Sequence, residues 1–248
     1  MPLIPLVLIQ IMCGIHAVRT GQERYWLYII IGLPGLGCVI YFLAIVVPDL
    51  FASRDGQRLV RHAHDKIDPQ RHLRILRDDL SVAETSQNHV RLADELVRLG
   101  QFEEAVEHYE KALTSIFLHD PDIMLKLATA LFYCNEPERC LQTLDAIMQF
   151  NPDFQSQDGH LLYAKALVVK GNLIKAEDEY QVLVGYYTGP EARFNYYQLL
   201  RKQGRIVEAR QQLEIIANTA RRSKPHYRRL HKQWLSKANQ EMKTLKNI

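Results

Sequence analysis

Apolar residues are spread unevenly along the chain. The first eighteen positions hold no charged side chain, and none occurs between Tyr25 and Pro48. After Asp49 apolar residues recur at helical spacing among polar ones, the pattern of helices that bury one face. The apolar stretches, residues 3–18 and 25–47, predict helices of about 24 Å and about 35 Å. Set against a hydrocarbon core of about 30 Å, they predict a two-helix transmembrane hairpin. Arg19-Thr-Gly-Gln-Glu-Arg24 is its polar turn. Trp26 and Tyr28 fall where an interfacial aromatic belt would lie, and Pro34 with Gly35 predicts a kink. A cleaved signal peptide fits poorly, because the segment has no positive amino-terminal region and no small-x-small site before Thr20. Arg19 and Arg24 in the turn are outnumbered by Arg54, Arg58, Arg61 and Lys66 beyond the second stretch. That bias predicts the turn outside and the rest of the chain in the cytoplasm.

His16-Ala-Val-Arg19, then Leu33-Pro34-Gly35-Leu36-Gly37 and Tyr41, resemble the amino-terminal membrane module that precedes phospholipase D-type domains in bacterial cardiolipin synthases. The resemblance covers about fifty residues and implies membrane anchoring, not catalysis. Phospholipase chemistry uses His-x-Lys-x4-Asp, usually twice. The only echo is His72-x-Arg74-x4-Asp79, with arginine for lysine and no second copy. It lies in a helical pattern whose apolar face is Leu73, Leu76 and Leu80, so it reads as a helix surface.

From residue 86 a period appears. Turn signals fall at Gly100, Asn135, Gly171 and Gly204, separated by 35, 36 and 33 residues. Before each, a first helix carries His89-x2-Leu92-Ala93-x2-Leu96, Met124-x2-Leu127-Ala128-x2-Leu131, His160-x2-Tyr163-Ala164-x2-Leu167 and Arg193-x2-Tyr196-Tyr197-x2-Leu200. After each, a second helix carries Ala105-x3-Tyr109-x2-Ala112, Cys140-x3-Leu144-x2-Ile147, Ala176-x3-Tyr180-x2-Leu183 and Ala209-x3-Leu213-x2-Ile216. This resembles the tetratricopeptide repeat. The leading tryptophan is absent, the small first-helix residue is replaced at Tyr197, and the closing proline is clear only at Pro152. The small residues Ala105, Cys140, Ala176 and Ala209 allow close helix approach. Glycine, or asparagine at 135, suits a left-handed residue that ends a helix.

The implied fold is all-α: a transmembrane hairpin (1–50), a charged linker (51–67) and an α-α superhelical solenoid (68–248). The solenoid has repeats at about 86–120, 121–156, 157–189 and 190–222. Its ends need covers. Asp68-Pro69 opens a cap helix over 68–85, with Leu73, Leu76, Leu80 and Ala83 on one stripe. Pro225 opens another over 225–246, with Tyr227, Leu230, Trp234, Leu235, Ala238, Met242 and Leu245. The whole plan also resembles a family of bacterial membrane proteins that join a hairpin to divergent repeats, a resemblance that carries no activity over.

Repeat solenoids bind along the face of the first helices. Off the packing stripe there lie Val90, Asp94, Val97, Thr129, Phe132, Tyr133, Lys165, Val168, Phe194 and Arg201, with Leu125 and Leu161 read as packing residues. Inner positions are mostly apolar (Val90, Leu125, Leu161, Phe194), which disfavours a Lys/Asn/Arg clamp for a terminal carboxylate. An amphipathic helix or extended peptide fits better. The net charge is +3, but residues 215–248 hold nine Lys or Arg against Glu241 alone, which is +8. Arg221, Arg222, Lys224, Arg228, Arg229 and Lys232 therefore form a candidate anionic-surface contact, giving membrane lipid as a second partner. No recognition module for nucleic acid accompanies them.

Candidate chemistry changes little. Cys13, Cys38, Cys134 and Cys140 form no Cys-x-x-Cys and read as reduced buried thiols. His62-x-His64-Asp65 lacks a third ligand and reads as solvated linker. No nucleophile elbow, phosphate-binding glycine loop or zinc-protease motif occurs. The expectation is a protein without enzymatic activity or cofactor. It is a scaffold that recruits protein partners at the cytoplasmic face of a bacterial inner membrane. The alternative is a lipid-associated accessory factor that uses the hairpin and the basic carboxyl-terminal helix.

Overall fold

The computed structural model describes residues 3–21, 23–33, 35–52, 68 and 70–246. The chain divides into two compact units, Met1–His72 and Leu73–Ile248. Every described element is helical. The linker readings at Arg54, Arg58, Arg61, Lys66, His62, His64 and Asp65, together with Pro34 and Pro69, lie outside the described residues.

In the first unit α1 spans Leu3–Arg19, α2 Tyr25–Gly32, α3 Leu36–Tyr41 and α4 Val47–Ala52, with a π-helical turn at Phe42–Val46. No helix among the described residues is long and apolar enough to cross a membrane. This corrects the two-span transmembrane hairpin, and with it the multi-pass inner-membrane location and the cytoplasmic placement inferred from it. The physical reason is length. α1 has 17 residues, about 26 Å against a core of about 30 Å. The second apolar stretch is broken at Leu33 and Gly35, leaving α2 with eight residues.

The breaks follow from local chemistry. The carbonyl of Ile30 would normally accept from residue 34, but proline has no N–H. Gln10 Nε2 donates to that carbonyl instead, at 2.9 Å. Gly35 takes φ +83°, and a Cβ at Gly37 would lie 2.2 Å from the Ile29 carbonyl oxygen. The π turn lies just before Pro48, where the helix must widen to clear the ring. Tyr41 is fully buried; it shares a 2.8 Å hydrogen bond with His16 Nδ1 and meets Trp26 edge-on.

In the second unit α5 (Arg71–Val82) precedes four helix pairs: α6 (Ser86–Arg98) with α7 (Phe102–Ala112), α8 (Pro121–Tyr133) with α9 (Pro137–Phe150), α10 (Gln157–Lys170) with α11 (Leu173–Leu183), and α12 (Glu191–Lys202) with α13 (Ile206–Arg222). Two helices follow, α14 (Pro225–Leu230) and α15 (Lys232–Lys246). Side-chain oxygens of Thr85, Asp120 and Ser156 cap the first helices of three pairs, satisfying amides with no intrahelical partner. Each pair turns at a left-handed residue: Gly100 (φ +78°), Asn135 (+61°), Gly171 (+87°) and Gly204 (+78°). The next amide bonds back five residues every time, Gln101 to Leu96, Glu136 to Leu131, Asn172 to Leu167 and Arg205 to Leu200, at 2.9–3.0 Å. That is the glycine-ended helix motif repeated in register.

Ala105, Cys140, Ala176 and Ala209 are fully buried where the second helix meets the first. Burial pushes the Cys140 thiol up to about 12, so this sulfur packs and stays protonated. Leu73 and Leu76 of α5 join the core of the first pair, while Ala83, assigned to the same stripe, is exposed. At the other end α15 packs on α12 and α13 in the place a fifth first helix would take. It brings Ala238 and Leu245 into the core, with Trp234, Leu235 and Met242 partly buried. The expected single helix over 225–246 is interrupted at His231, and Leu230 turns outward, 68% exposed.

A polar clasp joins the two helices of three pairs at the same spacing. His89 meets His108 (2.9 Å), His160 meets Glu179 (2.8 Å), and Arg193 meets Gln212 (2.9 Å). In the second pair the equivalent positions are Met124 and Thr143. The first clasp carries a pH dependence. His89 is buried and its Nε2 lies 3.4 Å from Glu84; His108 Nε2 lies 4.0 Å from Glu104, with Glu107 and Lys111 also acting on it. Burial first, then the neighbouring His89, lowers the His108 pKa, and Glu104 and Glu107 only partly oppose that.

Two outcomes are expected. A lowered folded-state pKa means that the unfolded chain binds more protons, so stability rises with pH. The melting temperature should be level above about pH 6.5, the ordinary imidazole value, and fall below it. His108→Gln should flatten that slope in a thermal-melt series across pH. Separately, Ala176→Leu should overpack the α10–α11 contact and cost about 1–3 kcal/mol, read as a lower urea midpoint.

Candidate protein-interaction site

The repeat register places one residue of each first helix beside the next first helix, and the structure uses those meetings for pairing. Asp94 on α6 receives a hydrogen bond from the buried Tyr109 Oη (2.7 Å) and an ion pair from Lys126 on α8 (2.7 Å). Burial, then the Asp94 carboxylate, raises the Tyr109 pKa, so the phenol stays a donor. Lys165 on α10 lies 5.3 Å from the centre of the Phe132 ring of α8 and 3.8 Å from Glu191 of α12. Arg201 on α12 pairs with Glu241 of α15 at 2.6 Å, and Tyr197 Oη donates to the same carboxylate at 2.8 Å. The bulky Tyr197, where the repeat pattern asks for a small residue, is thus buried under α15 and anchored by it. Lys126, Glu191 and Glu241 were not singled out from sequence, although Lys126 lies 32 positions from Asp94, close to the repeat period.

The remaining predicted face residues separate into three groups. Val90, Val97, Thr129 and Val168 are half-buried, and Thr129 Oγ1 donates to the Leu125 carbonyl at 2.8 Å. Tyr133 stands 55% exposed, stacked on Phe102 (ring centres 4.8 Å apart) and edge-on to Phe132. Phe194 is 4% exposed, packed against Trp234 and Tyr197. It completes the seat of α15 and leaves no open surface. Leu161 is buried and Leu125 half-buried.

Phe132 links Tyr133 on α8 to Lys165 on α10, and Thr129 and Val168 lie half-buried on the same two helices. Asp94, Lys165 and Arg201 are held by neighbours, so their charges are largely cancelled within the face.

The basic residues form a separate group. Arg221, Arg222, Lys224, Arg228, Arg229 and Lys232 lie at the corner where α13, α14 and α15 follow one another, most of them exposed. Arg221 donates to Asn218 Oδ1. Among the described residues no carboxylate pairs with any of the six. Elsewhere in the solenoid Arg77, Lys126, Arg139, Arg201 and Arg205 each meet an acid, while Lys111, Lys170, Lys202 and Arg210 are exposed without an ion pair among the described residues. His72, Arg74 and Asp79 lie along α5, with His72 and Arg74 exposed, and no group of three or more His, Cys, Asp or Glu that could hold a metal occurs among the described residues.

The tetratricopeptide repeat family model matches residues 96–166. The chain matches no curated protein by sequence. Among solved structures it is similar to MamA (residue 41 to the end) from Desulfovibrio magneticus RS-1, with TM-score 0.55 and 16% identity over 66% of this chain and 90% of that one. A thermophilic tetratricopeptide protein of Thermus thermophilus, TTC0263, gives TM-score 0.50 and 20% identity over 72% and 98%. Another MamA structure gives TM-score 0.53 and 14% identity over 68% and 95%. At these identities the likeness is one of fold. Neither the family match nor these neighbours supports the likeness to the phospholipase-type membrane module or to a membrane-protein family. Four helix pairs in one register, the match over residues 96–166 and the shared fold together support a tetratricopeptide repeat protein.

Proposed function

We propose that the chain is a protein-interaction scaffold that binds a partner polypeptide along its first helices, at the strip formed by Thr129, Phe132, Tyr133 and Val168. The observation that carries this reading is the exposed Tyr133, held in place by stacking on Phe102 within a face whose charges are already paired. An aromatic ring fixed before binding loses little conformational freedom on contact, which favours it as an anchor. Paired charges add little desolvation cost, so an apolar face of a helix or an extended peptide is the matching occupant. On this reading the function is docking.

Peptides selected against the chain from a displayed random library provide the test. Binders should carry an apolar or aromatic anchor. Tyr133→Ala and Thr129→Arg should each weaken them at least about tenfold, roughly 1.4 kcal/mol, with the melting temperature unchanged. Binders indifferent to both substitutions would place the docking surface elsewhere.

A further inference from the structure

The two ends of the solenoid differ sharply in charge. Residues 68–122 carry twelve Asp or Glu against six Lys or Arg, a net of −6, while residues 215–248 carry +8. The structure turns these totals into surfaces. At the last corner Arg222, Lys224, Arg228 and Arg229 are exposed without a carboxylate partner among the described residues. Leu230 stands in their midst, 68% exposed, over a shallow groove bordered by Arg229, Lys232 and Lys237. Such a one-sign cluster repels itself, and the break at His231 is what swings the leucine out of the packing stripe and into it. The break is accommodated by Gly189, where a Cβ would lie 3.2 Å from the His231 ring.

The first end presents the complement. Glu84 is mostly exposed and reaches His89; His108 feels Glu104 and Glu107, so these acids gather around one imidazole clasp. Glu103 and Glu107 are exposed on the same helix, α7. Two residues before Glu84, Val82 is 88% exposed. Exposed acids and an exposed valine at one end thus match exposed cations and an exposed leucine at the other.

We propose that the chain associates with a second copy of itself head to tail, the basic corner around Leu230 docking on the acidic end around Val82, Glu103 and Glu107. The occupant is argued from complementarity within one molecule: the same chain carries both halves of the contact. A contact between two different patches leaves one of each free, so it extends into a chain unless it closes as a ring.

The test is sedimentation of the full chain with charge-swapped variants. The wild-type chain should form larger species as concentration rises. Going from ~0.1 M to ~1 M salt, which shortens the screening length from about 10 Å to about 3 Å, should weaken association at least about tenfold. Association through the apolar first unit would instead persist or strengthen with salt. R228E/R229E and E103K/E107K should each stay unassociated, and mixing the two should restore assembly, because the swaps complement one another. All four residues are exposed, and unchanged melting temperatures would confirm that both variants fold. Three results would overturn the proposal: a wild type that is monomeric at low salt, single swaps that still assemble, or a mixture that does not.

Discussion

Each helix pair of the solenoid has an apolar stripe wider than one partner helix can cover. Everything else in the second unit answers that constraint. Fully buried Ala105, Cys140, Ala176 and Ala209 let paired helices approach, and the wide side of each pair then needs the next pair laid over it. Among the described residues of this unit the stack begins with α5 and ends with α15. Leu73 and Leu76 close one end; Trp234, Ala238 and Leu245 close the other. Tyr197, oversized for its position, becomes an attachment point because the element above it is a closing helix with Glu241 aimed at its hydroxyl.

The stacking also decides which polar groups are available for a partner. A residue on one first helix faces the next first helix about 32 positions on, and Asp94 and Lys126 use that proximity for an ion pair. Lys165 is held between Phe132 and Glu191, and Arg201 is spent on fastening α15. On the proposed reading, a partner meets the middle of the face, where Tyr133 stands exposed. The last described corner is different. The cations there stay unpaired among the described residues, and surface charge that is screened but not neutralised is the natural ground for association.

The first unit shows how hydropathy summed along a segment can mislead. Residues 25–47 contain no charge, yet they do not form one helix. Pro34 has no N–H to donate, Gly35 reverses the backbone and a π turn precedes Pro48. The polar residues inside these stretches have internal tasks: Gln10 serves the carbonyl that proline leaves empty, and His16 holds Tyr41. Counting apolar residues yields a length along an ideal helix; the breaks shorten the helices that actually form.

By itself the sequence determined the all-helical class, the period near 35 residues and the left-handed turns at Gly100, Asn135, Gly171 and Gly204. Those features are set by neighbours within a turn or two, through helical spacing and the backbone freedom of glycine and asparagine. It also named a set of residues for the first-helix face. Only the tertiary structure decided that Phe194 is buried while Tyr133 stays open, that Lys165 and Arg201 are paired, and that Leu230 points to solvent. These outcomes depend on which side chain arrives from 26 to 44 positions away, on how α15 seats against α12, and on a helix interrupted at His231. Packing of that kind is written in geometry between elements, which no local pattern along the chain records.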